Sequence, residues 1–315
     1  MIVIVCPKCG RKHKVSRDRI PELKTIIARC RACGNRFPVD LKKISSQIKS
    51  GNKIIVEPEK RQYNTRKICV SLSKGGVGKT TTSVNLSAGL AMAGYRVLLV
   101  DTDTQGQSAY MLGKRPQAGL TELLTGELGP GETIVPVRKN LWLLGGGKSL
   151  AGVKRIIDKK SFGAEWTLSE SLKKVDKHYD FVIIDTSPGW DQLTVNVLFY
   201  AREILIPVAL EAMPLHGLAQ FMRSIGSIQK YRRDVALKYV LPTFMDPRVR
   251  TPQKIFLTLK KLYKDYICKP IRYNESLSES PSFGKTIFEF APGSSGADDY
   301  RELVRRVTLN DRLLR

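Results

Sequence analysis

Ser73-Lys74-Gly75-Gly76-Val77-Gly78-Lys79-Thr80 follows the apolar run Ile68-Cys69-Val70-Ser71-Leu72 and leads into a helix-forming stretch, Thr81 to Ala93. Strand, glycine-rich loop and helix in that order form the setting of a phosphate-binding P-loop. Glycines let successive backbone N–H groups curl around a phosphate, and the helix N-terminus adds partial positive charge. Residues 73–81, ending at Thr81, are the candidate nucleotide contact. In that role Lys79 reaches the β- and γ-phosphates and Thr80 supplies a hydroxyl to Mg²⁺. A plain glycine-rich turn leaves both lysines without a task.

The loop departs from the usual pattern twice. Ser73 takes the first glycine position, and a second lysine, Lys74, stands one residue later. Lys74 cannot easily fold back onto the phosphates that Lys79 holds, so its reach is outward, toward a nucleotide on a facing subunit. This arrangement resembles the deviant Walker A ATPases, a group that includes the ParA/Soj partition proteins, MinD and the nitrogenase iron protein.

Further segments are similar to ParA/Soj in order and spacing. Arg96 to Val100 reads as a buried strand ending in Asp101-Thr102-Asp103-Thr104-Gln105-Gly106, close to the family's D-x-D-P-Q-G. Phe181 to Ile184 is another, ending in Asp185-Thr186-Ser187-Pro188, which looks like the Walker B aspartate and its switch. Leu277 to Lys285 reads L-S-E-S-P-S-F-G-K against the family's L-S-E-A-P-S-H-G-K. The resemblance spans roughly residues 66–310. It implies that Asp185 holds Mg²⁺ through water, that Asp101 helps fix the metal shell and that Asp103 orients the attacking water. Ligands in open α/β sheets sit beyond the carboxyl ends of the strands, so one crevice can gather all three carboxylates. The implied reaction is Mg²⁺-dependent attack of water on the γ-phosphate of ATP, with Lys74, Lys79 and Asp103 as catalytic residues. Needing Lys74 from a partner subunit ties slow hydrolysis to an ATP-bound homodimer. Gly145-Gly146-Gly147-Lys148-Ser149 imitates half a second P-loop, but Trp142 stands where the first glycine belongs, and the segment reads as a turn.

Cys6-Pro7-Lys8-Cys9 and Cys30-Arg31-Ala32-Cys33 are two C-x-x-C knuckles, each followed by glycine. Four thiolates at this spacing predict a structural Zn²⁺ site. The segment also resembles a bacterial zinc-ribbon family. A module of some forty residues cannot hold a core unaided, so metal binding supplies its folding energy. Disulfides are the poorer reading for a nucleotide switch of a reducing cytosol. An iron–sulfur cluster would suit the similar nitrogenase iron protein and Mrp group, but those hold it with cysteines inside the ATPase domain, where this chain has only Cys69 and Cys268, far apart.

The formal net charge is +24, and it sits at the ends. Residues 1–66 carry 17 basic and 5 acidic side chains, residues 221–315 carry 19 and 10, and the middle is near neutral. Two basic ends predict an anionic polymer or surface as partner. The resemblance favours DNA bound without sequence preference. Arg248, Arg250 and Arg272 are the candidate contacts, because Ser276 replaces the arginine that the family keeps in N-V-R-L-S-E. No run of apolar residues is long enough to span a bilayer. The helix-spaced apolar residues of the tail, Tyr300 to Val307, are expected in the core rather than on a membrane.

The chain thus reads as an α/β P-loop NTPase with a mostly parallel twisted sheet flanked by helices, preceded by a small four-cysteine zinc ribbon. Residues 1–40 are the ribbon, 41–65 a basic flexible linker with a short strand at Lys53 to Val56, and 66–315 the ATPase domain. The expected function is a cytoplasmic or nucleoid-associated ATP-dependent switch that positions a chromosome, plasmid or protein cluster through a ParB-like or other adaptor. Two other classes stand beside it: a MinD-like membrane-associated ATPase, and a zinc-ribbon DNA-binding regulator gated by nucleotide.

Overall fold

The computed structural model describes residues 2–5, 11–15, 25–32, 36–40, 55–56, 65–211 and 214–313. The chain divides into two units, Met1–Tyr63 and Asn64–Arg315. In the first, β1 (Ile2–Val5) pairs antiparallel with β2 (Lys12–Val15), and β3 (Thr25–Arg29) pairs antiparallel with β4 (Arg36–Asp40). β5 (Ile55–Val56) falls within the short strand expected at Lys53 to Val56, and it pairs in parallel with Val3 and Ile4 of β1. Two adjacent β-branched residues suit that edge position.

The second unit is built on a seven-stranded sheet. Its strands are β6 (Arg66–Val70), β7 (Val97–Asp101), β8 (Ile134–Arg138), β9 (Leu141–Leu144), β10 (Phe181–Asp185), β11 (Glu203–Ala209) and β12 (Ala236–Thr243). They lie in the order β12-β11-β6-β10-β7-β9-β8, and only β8 runs antiparallel to its neighbour. Every residue of β7 and of β10 is buried, because helices cover both faces of a parallel sheet. Alternate side chains serve opposite layers. Leu98, Val100, Val182 and Ile184 join one core cluster, and Val97, Leu99, Phe181 and Ile183 the other.

On the second face, α1 (Lys79–Met92) packs under the last helix, which runs from Ser295 to Leu313. A Cβ on Gly89 would stand 2.6 Å from Val304 and 3.2 Å from the Phe288 ring, so only glycine permits this approach. Tyr300, Leu303, Val304 and Val307 are all buried. The apolar residues of the tail are therefore core, and among the described residues no helix is long and apolar enough to cross a membrane.

Arg66 ties the first strand of this sheet to the end of the chain. Its guanidinium donates to Glu203 at 2.7 and 2.5 Å, to the Tyr239 hydroxyl at 2.8 Å and to the Val307 carbonyl at 2.7 Å. Only 8% of Arg66 is exposed. Removing one partner of such a buried pair costs about 3–5 kcal/mol, because the other charge is left uncompensated.

Candidate nucleotide site

β6 delivers the chain into the glycine loop, and α1 begins at Lys79. Gly76 and Gly78 adopt φ of 70° and 86°, the left-handed region that side chains avoid. No side chain caps α1 at Gly78, so its first N–H groups remain for a ligand. Val77 is buried, and its carbonyl accepts the Thr243 hydroxyl at 3.0 Å, which pins the loop to the end of β12. The two lysines point to different environments. Lys79 is 6% exposed, and its ammonium donates to the Lys74 carbonyl at 2.7 Å. Burial pushes the Lys79 pKa down, while Asp185 and Asp103 pull it up. Lys74 is exposed on the rim.

The three predicted carboxylates come together at the ends of β7 and β10. Asp101 pairs in register with Asp185. Asp185 accepts Ser83 Oγ at 2.9 Å and Ser108 Oγ at 3.3 Å, and Thr80 also bonds its side chain. Asp101 accepts the backbone N–H of Asp103 at 2.9 Å and of Ser108 at 3.1 Å. Burial, with Asp185 alongside, pushes Asp101 up to about 8, and burial pushes Asp185 up to about 6. Carboxylates crowded and dried in this way favour a bound divalent cation, whose charge reverses the push. Thr80, Asp101 and Asp185 are thus a donor set of the hard oxygen type that Mg²⁺ takes. Asp103 is 8% exposed, and Gln105 N–H donates to it at 2.9 Å.

Two further loops complete the wall. The glycine run 145–149 is a turn between β9 and the helix Leu150–Asp158, as its sequence suggests, and it packs directly on the aspartates. Gly147 N–H donates to the Asp103 carbonyl at 3.0 Å. A Cβ on Gly146 would meet the carbonyls of Asp103 and Asp101 at 2.6 and 2.8 Å. The loop after β10 binds the rim of the P-loop, Gly189 N–H donating to the Ser73 carbonyl at 3.0 Å. Asp191 then caps the helix Gln192–Tyr200 and pairs with Lys154 at 2.5 Å. Trp190 between them sits edge-on to Phe221 at 5.8 Å.

The three candidate DNA contacts differ from one another. Arg272 is engaged by Asp299 through its backbone N–H at 2.8 Å and its guanidinium at 2.7 Å. Arg248 pairs with Asp246 at 2.8 Å. Arg250 opens the helix Arg250–Tyr263 and is exposed. Ser276 lies in the short helix Glu275–Glu279, capped by Asn274.

Of the zinc candidates, Cys6, Cys9 and Cys33 lie outside the described residues. Cys30 is buried directly after β3, and its sulfur is 3.2 Å from His13 Nε2. Among the described residues no cluster of three metal-ligating side chains occurs.

Several residues of the site carry no motif of their own. Ser83 is one helical turn beyond Lys79, a spacing that marks the same face of α1. Ser108, Gly146, Gly147, Thr243 and Lys154 come from distant segments, and only the fold brings them in.

A family profile described as an AAA domain matches residues 65–238. The sporulation initiation inhibitor protein Soj of Bacillus subtilis is 36% identical over 250 residues, covering 77% of this chain and 98% of the relative. The chromosome-partitioning ATPase Soj of Thermus thermophilus is 37% identical over 244 residues, covering 77% and 95%. Cobyrinic acid a,c-diamide synthase from Mycobacterium smegmatis, solved with a bound ATP analog and magnesium, superposes with a TM-score of 0.69. It is 31% identical and covers 80% of this chain and 97% of that one. With the P-loop, the paired strand-end aspartates and the parallel sheet in place, this chain belongs to the ParA/Soj family of P-loop ATPases.

Proposed function

We propose that the protein is a switch that dimerises with ATP, hydrolyses it slowly with Mg²⁺ and positions a chromosome, plasmid or protein cluster. The observation that carries this reading is the opposite disposition of two lysines in one loop. Lys79 is turned in and buried against its own loop, whereas Lys74 is exposed on the rim, where it is free to reach a nucleotide held by a second copy. Residues 73–81 hold the phosphates, Thr80, Asp101 and Asp185 the Mg²⁺ shell, and Asp103 orients the attacking water. Catalysis of this kind is positioning and charge neutralisation.

The ATP-bound dimer binds DNA without sequence preference and meets a ParB-like or other adaptor, which places the protein in the cytoplasm at the nucleoid. The first unit is a zinc ribbon. In chain order Cys6 and Cys9 follow Ile2–Val5, and Cys30 and Cys33 follow Thr25–Arg29. The two C-x-x-C pairs, each followed by glycine, have the spacing of a two-knuckle Zn²⁺ site.

Sedimentation velocity with Mg-ATP, with ADP and without nucleotide tests the switch. The wild type is expected to dimerise with ATP alone, and Lys74→Ala to bind ATP yet stay monomeric. Lys74→Ala dimerising like the wild type would remove the basis of the proposal. Metal analysis of the purified protein checks the ribbon: one zinc per chain is expected, and iron with sulfide would overturn it.

A further inference from the structure

The basic face of the helix Arg250–Tyr263 differs from Arg272, Arg301 and Arg305 in how its charges are matched. Residues 248–264 contain Arg248, Arg250, Lys254, Lys260, Lys261 and Lys264 and no aspartate or glutamate. Pro252 and Leu259 are buried and turn one side of the helix to the core. Arg250, Lys254, Leu257 and Lys261 recur at i, i+4, i+7 and i+11, so they form one stripe on the opposite, exposed side. Among the described residues, Arg250, Lys254 and Lys261 enter no ion pair, and the one acid near the start of the helix, Asp246, is matched by Arg248.

Several cations further along the chain are neutralised in place. Arg272 is held by Asp299, Arg301 by Asp298, and Arg305 and Lys269 by Glu302. A cation that already has a carboxylate gains less from a phosphate, because the first pair must be given up. Resting on the DNA reading above, we infer that the DNA backbone is gripped by the Arg250/Lys254/Lys261 stripe, and not by the segment 272–276. The stripe covers about 16 Å of helix at 1.5 Å per residue. At 3.4 Å per base pair that is the axial length of roughly five pairs. Lysine and arginine reaching phosphates carry no base readout, which matches binding without sequence preference. Leu257 and Leu262, 57% and 64% exposed, are scattered apolar side chains of the kind any surface shows.

The test is fluorescence anisotropy of a labelled random-sequence duplex titrated with the full-length, ATP-bound protein across a salt series. Replacing Arg250, Lys254 and Lys261 together by glutamine should raise Kd at least tenfold. It should also flatten the slope of log K against log salt by roughly 2.7 per protomer, at 0.9 for each phosphate contact. Lys254→Arg with Lys261→Arg should keep both affinity and slope, which separates charge from damage to the fold. Arg272→Gln should leave the slope unchanged. Wild-type slope in the triple variant, or a lost slope in Arg272→Gln, would overturn the assignment while leaving DNA binding itself intact. If the wild type fails to bind DNA with ATP, with ADP and without nucleotide, and the same stripe instead carries it onto phosphatidylglycerol vesicles, the DNA reading itself falls and this assignment with it.

Discussion

The nucleotide crevice and the basic outer helix of the same domain are built by different rules. In the crevice, Lys79, Asp101, Asp103 and Asp185 are buried, and their hydrogen bonds are assigned by neighbours in the P-loop, in α1 and in the segment after β7. Asp185 is bonded by Ser83, Ser108 and Thr80, and Lys79 by the Lys74 carbonyl. On the outer helix the charges are exposed, and their meaning depends on whether an acid stands within reach. Arg272 and Arg250 look equivalent as candidates, yet one is tied to Asp299 and the other enters no ion pair among the described residues. A buried site therefore reveals its task through its spacing, and a surface only through its three-dimensional neighbours.

Breaking the crevice should have the largest effect. Asp103→Ala is expected to lower ATP turnover by about 10²–10⁴-fold while ATP binding persists, if that carboxylate handles the attacking water. Steady-state phosphate release alongside nucleotide affinity checks it, and an unchanged turnover would return Asp103 to a purely structural part. Gly146→Ala comes next, since its Cβ would meet two backbone carbonyls under 3.0 Å. We expect destabilisation of about 1–3 kcal/mol from overpacking, read as a lower urea midpoint, together with weaker Mg²⁺-dependent nucleotide binding. A neutral result would mean that the glycine turn is not a fixed wall of the site.

The rim of the crevice is probed by Lys154→Met. Burial pulls Asp191 up, but the hydrogen bonds from Lys154 and Thr194 outweigh it and hold its carboxyl below the ordinary value. Such a group adds stability above the ordinary carboxylate pKa and loses it as pH falls through its lowered folded-state value. The wild type should exceed Lys154→Met by about 1 kcal/mol at neutral pH, and the difference should shrink below roughly pH 4 in thermal melts. A difference independent of pH would point to packing in place of charge. The smallest effect is expected on the surface: Arg272→Gln should cost under about 1 kcal/mol by denaturant titration, as exposed pairs do.

How far the chain could be read without its fold follows the same division. The strand–loop–helix around Ser73–Thr80 and the strand-end positions of Asp101, Asp103 and Asp185 were legible because each depends on local order. β7 and β10 were visible as unbroken apolar runs, the signature of strands covered on both faces. The part of Gly146 and Gly147 was not legible. A glycine run beside a strand looks like a turn whether or not it seats an aspartate. Nor could β5 be assigned to the sheet of the first unit, since two residues carry no periodicity. Arg66 gave no signal either, for the groups its guanidinium bonds lie between 137 and 241 residues away.

That last separation has a consequence for synthesis. The Val307 carbonyl that receives the Arg66 guanidinium leaves the ribosome 241 residues after it. Until then the start of β6 carries a charge that the nascent sheet cannot yet bury in full. Completion of this domain therefore waits on the final helix, a long-range closure of the kind that slows folding. A chain truncated before residue 300 should accumulate as an open, protease-sensitive sheet, which makes the last helix the latch that declares the ATPase finished.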